Sequence, residues 1–205
     1  MAGRADPSGP ALAFEVVLVC TGNQIRSPIA EALVGRLAAA FPVATRSLGL
    51  VDLGGKPPPR EAIEAAAELG LDISMHRSTW MQPQALEESD VVVGFEPVHV
   101  AGAVLDGGAP AERTFMLREL VELLEEIDVP QERDPVGRAR LAVARANARR
   151  RALGGRSLAA PVHDPLGRGR GAHRGAAREL DELVPRLVDG LFRPCPAENR
   201  RGRGS

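Results

Sequence analysis

Tyrosine is absent from this chain, and aromatic residues make up only 3% of it, five Phe and one Trp. Any pocket it forms therefore has few rings for stacking. No run approaches the ~20 apolar residues that span a bilayer, so no membrane helix is expected. Cysteine occurs twice, at Cys20 and Cys195, far too rarely for a disulfide framework. Cys195 lies between prolines in a Gly-, Pro- and Arg-rich end, so a bridge to Cys20 is not expected and a cytoplasmic, reducing location fits. Net charge is missing as well: Lys+Arg 26 stand against Asp+Glu 27, which calls for no nucleic-acid or membrane partner. Lysine is reduced to Lys56. The histidines, at 76, 99, 163 and 173, show no metal-ligand spacing, and no metal or other cofactor is expected. Near the start, Ala11 to Phe14 is cut short by Glu15, so no signal peptide is expected.

The 205 residues suffice for one domain with a real core. Apolar strand patterns at 14–19, 43–47, 90–95 and 112–116 alternate with helical ones, the signature of βαβ units. Helix 28–40 carries Ile29, Leu33 and Leu37 four apart. Leu117, Leu120, Val121, Leu124 and Ile127 share a helical face, as do Leu180, Leu183, Val184, Leu187, Val188 and Leu191, where Pro185 should bend the helix. These patterns predict a single α/β domain over 13–192, between flexible ends at 1–12 and 193–205. Its core is a four-stranded parallel twisted sheet with helices on both faces. Within residues 128–162, the part 133–156 holds eight arginines and one acid, Asp134. Its alanines predict a helix from about 136 to 152. That helix reads as a solvated face balanced by the acidic Glu119-to-Asp128 segment, in preference to a basic dock for an acidic partner.

The most informative stretch is Cys20-Thr-Gly-Asn-Gln-Ile-Arg26-Ser27-Pro28, which follows the apolar run Val16 to Val19. A strand ending in such a loop and opening into a helix gathers backbone N–H groups at one point, where the helix dipole adds positive potential. The residues of that cradle are Thr21, Gly22, Asn23, Gln24, Ile25 and Arg26. Arg26 adds a planar, two-pronged donor suited to phosphate oxygens. Cys20 at its mouth has its thiolate, the nucleophilic form, stabilised. Gly22 and Asn23 suit a loop needing positive φ. Ser27 reads as the helix N-cap, a role compatible with one at the thiol.

The segment Val-Cys-Thr-Gly-Asn-Gln-Ile-Arg-Ser-Pro, with the helical Ile-Ala-Glu-Ala-Leu after it, resembles the phosphate loop of the low-molecular-weight protein tyrosine phosphatases, as a bacterial variant with a longer C-terminal part. Further residues match in order: Ser47, Gly49, Gly-Lys-Pro at 55–57, His76-Arg77-Ser78, Asp90-Val-Val-Val-Gly94, and Asp164-Pro165 before the last helix. The resemblance covers about 14–127 and 162–192, which implies that 128–162 is an insertion relative to the shortest members. It implies hydrolysis of a phosphotyrosine protein or small aryl phosphate through a cysteinyl-phosphate, with inorganic phosphate as product. Ser27 would then stabilise the departing thiolate, and Ser47 and His76 would brace Asn23. For the general acid two Asp-Pro pairs compete; context favours Asp164, while Asp134 suits the N-cap of the arginine-rich helix.

The departures matter too. Ile25 stands where many relatives carry a second cysteine, so oxidised Cys20 has no neighbour to pair with. Leu166 replaces an aromatic after Asp-Pro, which puts phosphotyrosine preference in question. Two rival readings are an arsenate reductase resolved by an external small thiol and a non-catalytic phosphoprotein-binding module.

Overall fold

A computed structural model describes residues 13–130, 132–155 and 159–193. The ends 1–12 and 194–205, with Cys195, lie outside the described residues. Strands β1 (Phe14–Cys20), β2 (Val43–Gly49), β3 (Val91–Gly94) and β4 (Thr114–Met116) form one parallel sheet in the order β2-β1-β3-β4. Register pairs Phe14 with Val43, Val16 with Val91 and Val92 with Thr114. β1 is central and buried on both faces, which is why it reads as a continuous apolar run instead of an alternating one.

Helices α1 (Arg26–Leu37), α2 (Arg60–Glu68), α4 (Leu117–Glu126), α5 (Pro135–Ala152) and α6 (Gly169–Phe192) surround the main core. In it Val16, Leu18, Val91, Val93 and Phe115 of the sheet meet Ile29 and Leu33 of α1, Leu120 and Leu124 of α4, and Leu180, Leu183, Leu187 and Leu191 of α6. Helix α3 (Pro97–Leu105) belongs to the opposite face, where Val17, Val19 and Val92 pack with Leu86 and Ala103. α6 runs through Pro185 as one helix. No helix among the described residues is long and apolar enough to cross a membrane.

Helix α5 starts one residue before the expected span, and it is not merely a solvated face. It buries Val136, Ala139, Ala142, Val143 and Ala146 in the main core. Several of its arginines are engaged. Arg140 pairs with Asp90 at 2.8 Å and Arg149 with Glu126 at 2.8 Å. Arg145 donates to the Asp128 carbonyl, and Arg138 to the Val129, Pro130 and Arg193 carbonyls. Arg150 lies over the Phe115 ring, 4.1 Å from its centroid, and donates to the Thr114 and Ala111 carbonyls. Glu119 and Glu126 do supply the expected acidic balance. Asp134 caps the helix by accepting the Val136 and Gly137 N–H groups.

The topology decides where a site can form. From β1 the chain crosses to β2 on one side and then back to β3 on the other. The crevice outside the carboxyl ends of parallel strands at such a reversal is where α/β sheets bind ligands. The Cys20–Arg26 loop lies there.

Candidate active site

The loop is held from outside. The Leu50 and Val51 N–H groups donate to the carbonyls of Cys20 and Thr21, at 3.0 and 2.9 Å. At Gly49 a Cβ would come within 3.0 Å of the Asn23 nitrogen and the Gly22 carbonyl carbon, so only glycine lets the loop lie on the end of β2. Asn23 takes the left-handed conformation, φ 51°. Gly22 does not, contrary to the sequence expectation; its constraint is Leu53, whose Cδ1 would stand 2.8 Å from a Cβ there.

Asn23 is fully buried and uses both ends of its amide. Its Nδ2 donates to Ser27 Oγ at 3.0 Å and Ser47 Oγ at 2.8 Å. Its Oδ1 accepts the Thr79 N–H at 2.8 Å and lies 3.1 Å from His76 Nε2, which is 2.9 Å from the Asn23 carbonyl. Because Thr79 N–H can only donate, the amide orientation is fixed. Ser47 in turn donates to Glu31 Oε2 at 2.5 Å.

The chain of bonds ends on the thiol. Ser27 Oγ lies 3.0 Å from Cys20 Sγ, and the Asn23 N–H donates to the same sulfur at 3.2 Å. With Ser27 Oγ accepting from Asn23, its own hydrogen is available to sulfur. Ser27 is not the helix cap: α1 begins at Arg26 with Ile25 as N-cap, and the hydroxyl is turned back to the thiol.

Arg26 is 1% exposed. Its Nη1 donates to Glu96 Oε2 at 2.7 Å and the Val162 carbonyl at 2.9 Å. Its Nη2 donates to Asp164 Oδ2 at 2.6 Å and Thr21 Oγ1 at 3.2 Å. Asp164 Oδ1 accepts the Leu166 N–H at 3.0 Å. Val162 is pinned by its own N–H to the Phe95 carbonyl at 2.9 Å. A cavity of about 110 Å³ opens among Cys20, Thr21, Gln24, Arg26 and Asp164, with Val51, Leu53 and Leu166 as its aliphatic walls. Gln24 reaches out of it to donate to the Pro57 carbonyl at 2.7 Å.

Thus Cys20, Arg26 and Asp164 meet at one cavity, while Asp134 is held as the N-cap of α5. Ser27, Ser47 and His76 all reach the loop. The sequence did not point to Glu31, Thr79, Glu96 or His99. The signal for the last two was available: Glu96-Pro-Val-His99 follows β3 after Phe95 alone, at the sheet end where sites form. His99 is fully buried, and its Nδ1 accepts the N–H groups of Phe95 and Glu96 at 3.2 and 3.1 Å. Burial, and then the charge of Arg26, push its pKa down to about 4, against a weaker opposing pull from Glu96 and Asp164. Its ring is therefore neutral near pH 7. No cluster of three metal-ligating side chains occurs among the described residues.

Known proteins resemble this chain in sequence and in fold. The chain is 37% identical over 79 residues to the probable low molecular weight protein-tyrosine-phosphatase EpsP of Ralstonia solanacearum, across 38% of this chain and 52% of that protein. It is 32% identical over 111 residues to a protein-arginine-phosphatase of Bacillus subtilis, across 53% of this chain and 73% of that protein. The chain thus spans about half the length of EpsP. The solved structure of a low molecular weight protein tyrosine phosphatase from T. tengcongensis superposes with a TM-score of 0.65 at 25% identity, covering 87% of this chain and 100% of that one. The sequence pattern of the low molecular weight phosphotyrosine protein phosphatases matches residues 15–145, which carry the loop, its braces and the Glu96–His99 turn, and the chain belongs to that family.

Proposed function

We propose that this protein hydrolyses phosphate monoesters on proteins, phosphotyrosine first among them, through a cysteinyl-phosphate intermediate. The observation that carries the reading is the meeting of Cys20 Sγ, the Arg26 guanidinium and the Asp164 carboxyl at one cavity at the carboxyl end of β1. Cys20 Sγ attacks phosphorus and the phosphorus–oxygen ester bond breaks. The bonding pair goes to the leaving oxygen, which takes a proton from Asp164. Water then gives a proton to Asp164 and attacks phosphorus. The sulfur–phosphorus bond breaks, the thiolate leaves against the Ser27 hydroxyl, and inorganic phosphate is released. The transferring group spreads charge over its equatorial oxygens, so Arg26 and the N–H groups of residues 21–26 act chiefly by electrostatic positioning.

A second substrate reading rests on the cavity walls. Val51, Leu53 and Leu166 offer no ring to stack on a phenol, and they suit the methylenes of a phosphoarginine side chain as well; one relative is named as a protein-arginine-phosphatase. A thiolate nucleophile works in a reducing compartment, consistent with the cytoplasm. Phosphate release is to be measured with phosphotyrosine peptide, phosphoarginine peptide and p-nitrophenyl phosphate and, for the reductase alternative, arsenite formation from arsenate plus a small thiol. Turnover of an aryl or peptide phosphate, abolished by Cys20→Ser, is expected. Phosphopeptide binding without release would refute the hydrolase, and thiol-dependent arsenate reduction alone would replace it.

A further inference from the structure

Around Thr21 the structure holds one hydrogen-bond donor beyond the loop's own backbone and Arg26. Phe95 N–H and Glu96 N–H can only donate, and both point at His99 Nδ1. That nitrogen must therefore present its lone pair, so the single ring proton sits on Nε2. Nε2 lies 3.0 Å from Thr21 Oγ1 and 3.7 Å from Glu96 Oε2. The shorter contact is the hydrogen bond, with the imidazole donating and the hydroxyl oxygen accepting. Arg26 Nη2 donates to the same oxygen at 3.2 Å. A hydroxyl oxygen has two lone pairs and one hydrogen. Both lone pairs are taken, so the hydrogen is turned away from His99 and Arg26, and Thr21 lines the cavity beside Cys20.

The histidine is built in tightly. It is fully buried, and a Cβ on Gly94 would stand 2.8 Å from His99 Cβ. The glycine at the end of β3 is what lets the imidazole approach the loop. The acceptor end of the ring closes the capping box of α3 with the Glu96 N–H, but a ring that only capped the helix would not need a donor aimed at a loop hydroxyl.

We propose that His99 sets the Thr21 hydroxyl as a donor to a non-bridging oxygen of the bound phosphoryl group, so that the cradle holds its oxyanion with a side-chain O–H as well as with backbone N–H groups and Arg26. Thr21 touches the substrate, and His99 is a positioning residue that acts through it. This rests on the phosphate-binding part of the proposed function and not on turnover.

Two shape-matched series test it. Thr21→Val removes the hydroxyl and keeps the outline, while Thr21→Ser keeps the hydroxyl. In His99→Asn the amide oxygen can replace Nδ1 as acceptor for the Phe95 and Glu96 N–H groups, but nothing reaches Thr21. In His99→Gln the amide nitrogen can replace Nε2 as the donor. The probes are inorganic phosphate, with its dissociation constant measured by calorimetry, and p-nitrophenyl phosphate turnover. A hydrogen bond to a charged group is worth roughly a tenfold change or more. Thr21→Val and His99→Asn should each weaken phosphate binding and lower kcat/KM by about tenfold or more, while Thr21→Ser and His99→Gln stay within about threefold. The double variant Thr21→Val with His99→Asn should be no worse than Thr21→Val alone. Losses that multiply would overturn the proposal, because His99 would then act independently of Thr21. Unchanged phosphate affinity in Thr21→Val would overturn it even if His99→Asn failed to fold. The expected binding pattern in a protein that releases no phosphate would keep this inference and refute the hydrolase.

Discussion

Asp164→Ala separates proton donation from every other service the cavity provides. In the structure Asp164 is only one of four acceptors for Arg26; Glu96, the Val162 carbonyl and Thr21 remain when it is removed. The guanidinium should therefore keep its place, and inorganic phosphate should inhibit the variant within a few-fold of the parent. What is lost is the proton for the leaving oxygen, worth roughly 10²–10⁴ in rate. That loss falls hardest on phosphotyrosine, whose phenol has a pKa of about 10, and far less on p-nitrophenyl phosphate, whose more acidic phenol departs without help. The assay is kcat for both substrates in parent, Asp164→Ala and Asp134→Ala. Asp134 accepts the Val136 and Gly137 N–H groups at 3.1 and 2.9 Å. Its removal should leave both rates nearly unchanged and lower stability by about 0.5–2 kcal/mol. An equal loss on both substrates in Asp164→Ala, or a leaving-group dependence appearing in Asp134→Ala, would refute the assignment.

Arg26→Lys keeps the charge but cannot serve acceptors on four residues with a planar fork, so kcat should drop by about a hundredfold or more; near-parental turnover would mean the phosphate is held otherwise. His99, faced by Arg26, Glu96 and Asp164, has a folded pKa of about 4, below its ordinary 6.5. The unfolded chain thus binds the proton first, and folding stability falls as pH drops from 6.5 towards 4, by about 3 kcal/mol in full. Urea unfolding should show a steeper loss between pH 7 and 5 in the parent than in His99→Gln. Gly49→Ala drives a Cβ against the Asn23 and Gly22 backbone, so Tm and kcat/KM should fall together; a drop in Tm with full activity would show that the loop does not need that approach.

What could be read in advance was local. Cys20 to Ser27 announces itself because a strand, a turn residue able to take positive φ, a thiol and an arginine are contiguous. Asn23, Ser47 and His76 could be connected only through a resemblance. Ser27 was half legible: a serine beside a helix start looks like a cap, and only the entry of α1 at Arg26 turns its hydroxyl to the sulfur. Glu96 and His99 lie 70 and 78 positions from the loop residues they touch, and no periodicity encodes such a pairing. The alanine spacing foretold α5, but several of its arginines end on backbone carbonyls, acceptors that every residue carries and no side-chain pattern reveals.

The clasp at Val162 bears on how this domain tolerates change in length. Its N–H is held by Phe95 and its carbonyl by Arg26, two residues ahead of Asp164, so the placement of that carboxyl is reset there whatever the chain does after α4. The stretch between α4 and this clasp includes all of α5, yet the carboxyl is placed by the clasp and not by that stretch. A change of length on either side of α5 should leave the reaction geometry constant, whereas loss of α5 would open the main core that Val136, Ala142 and Val143 fill.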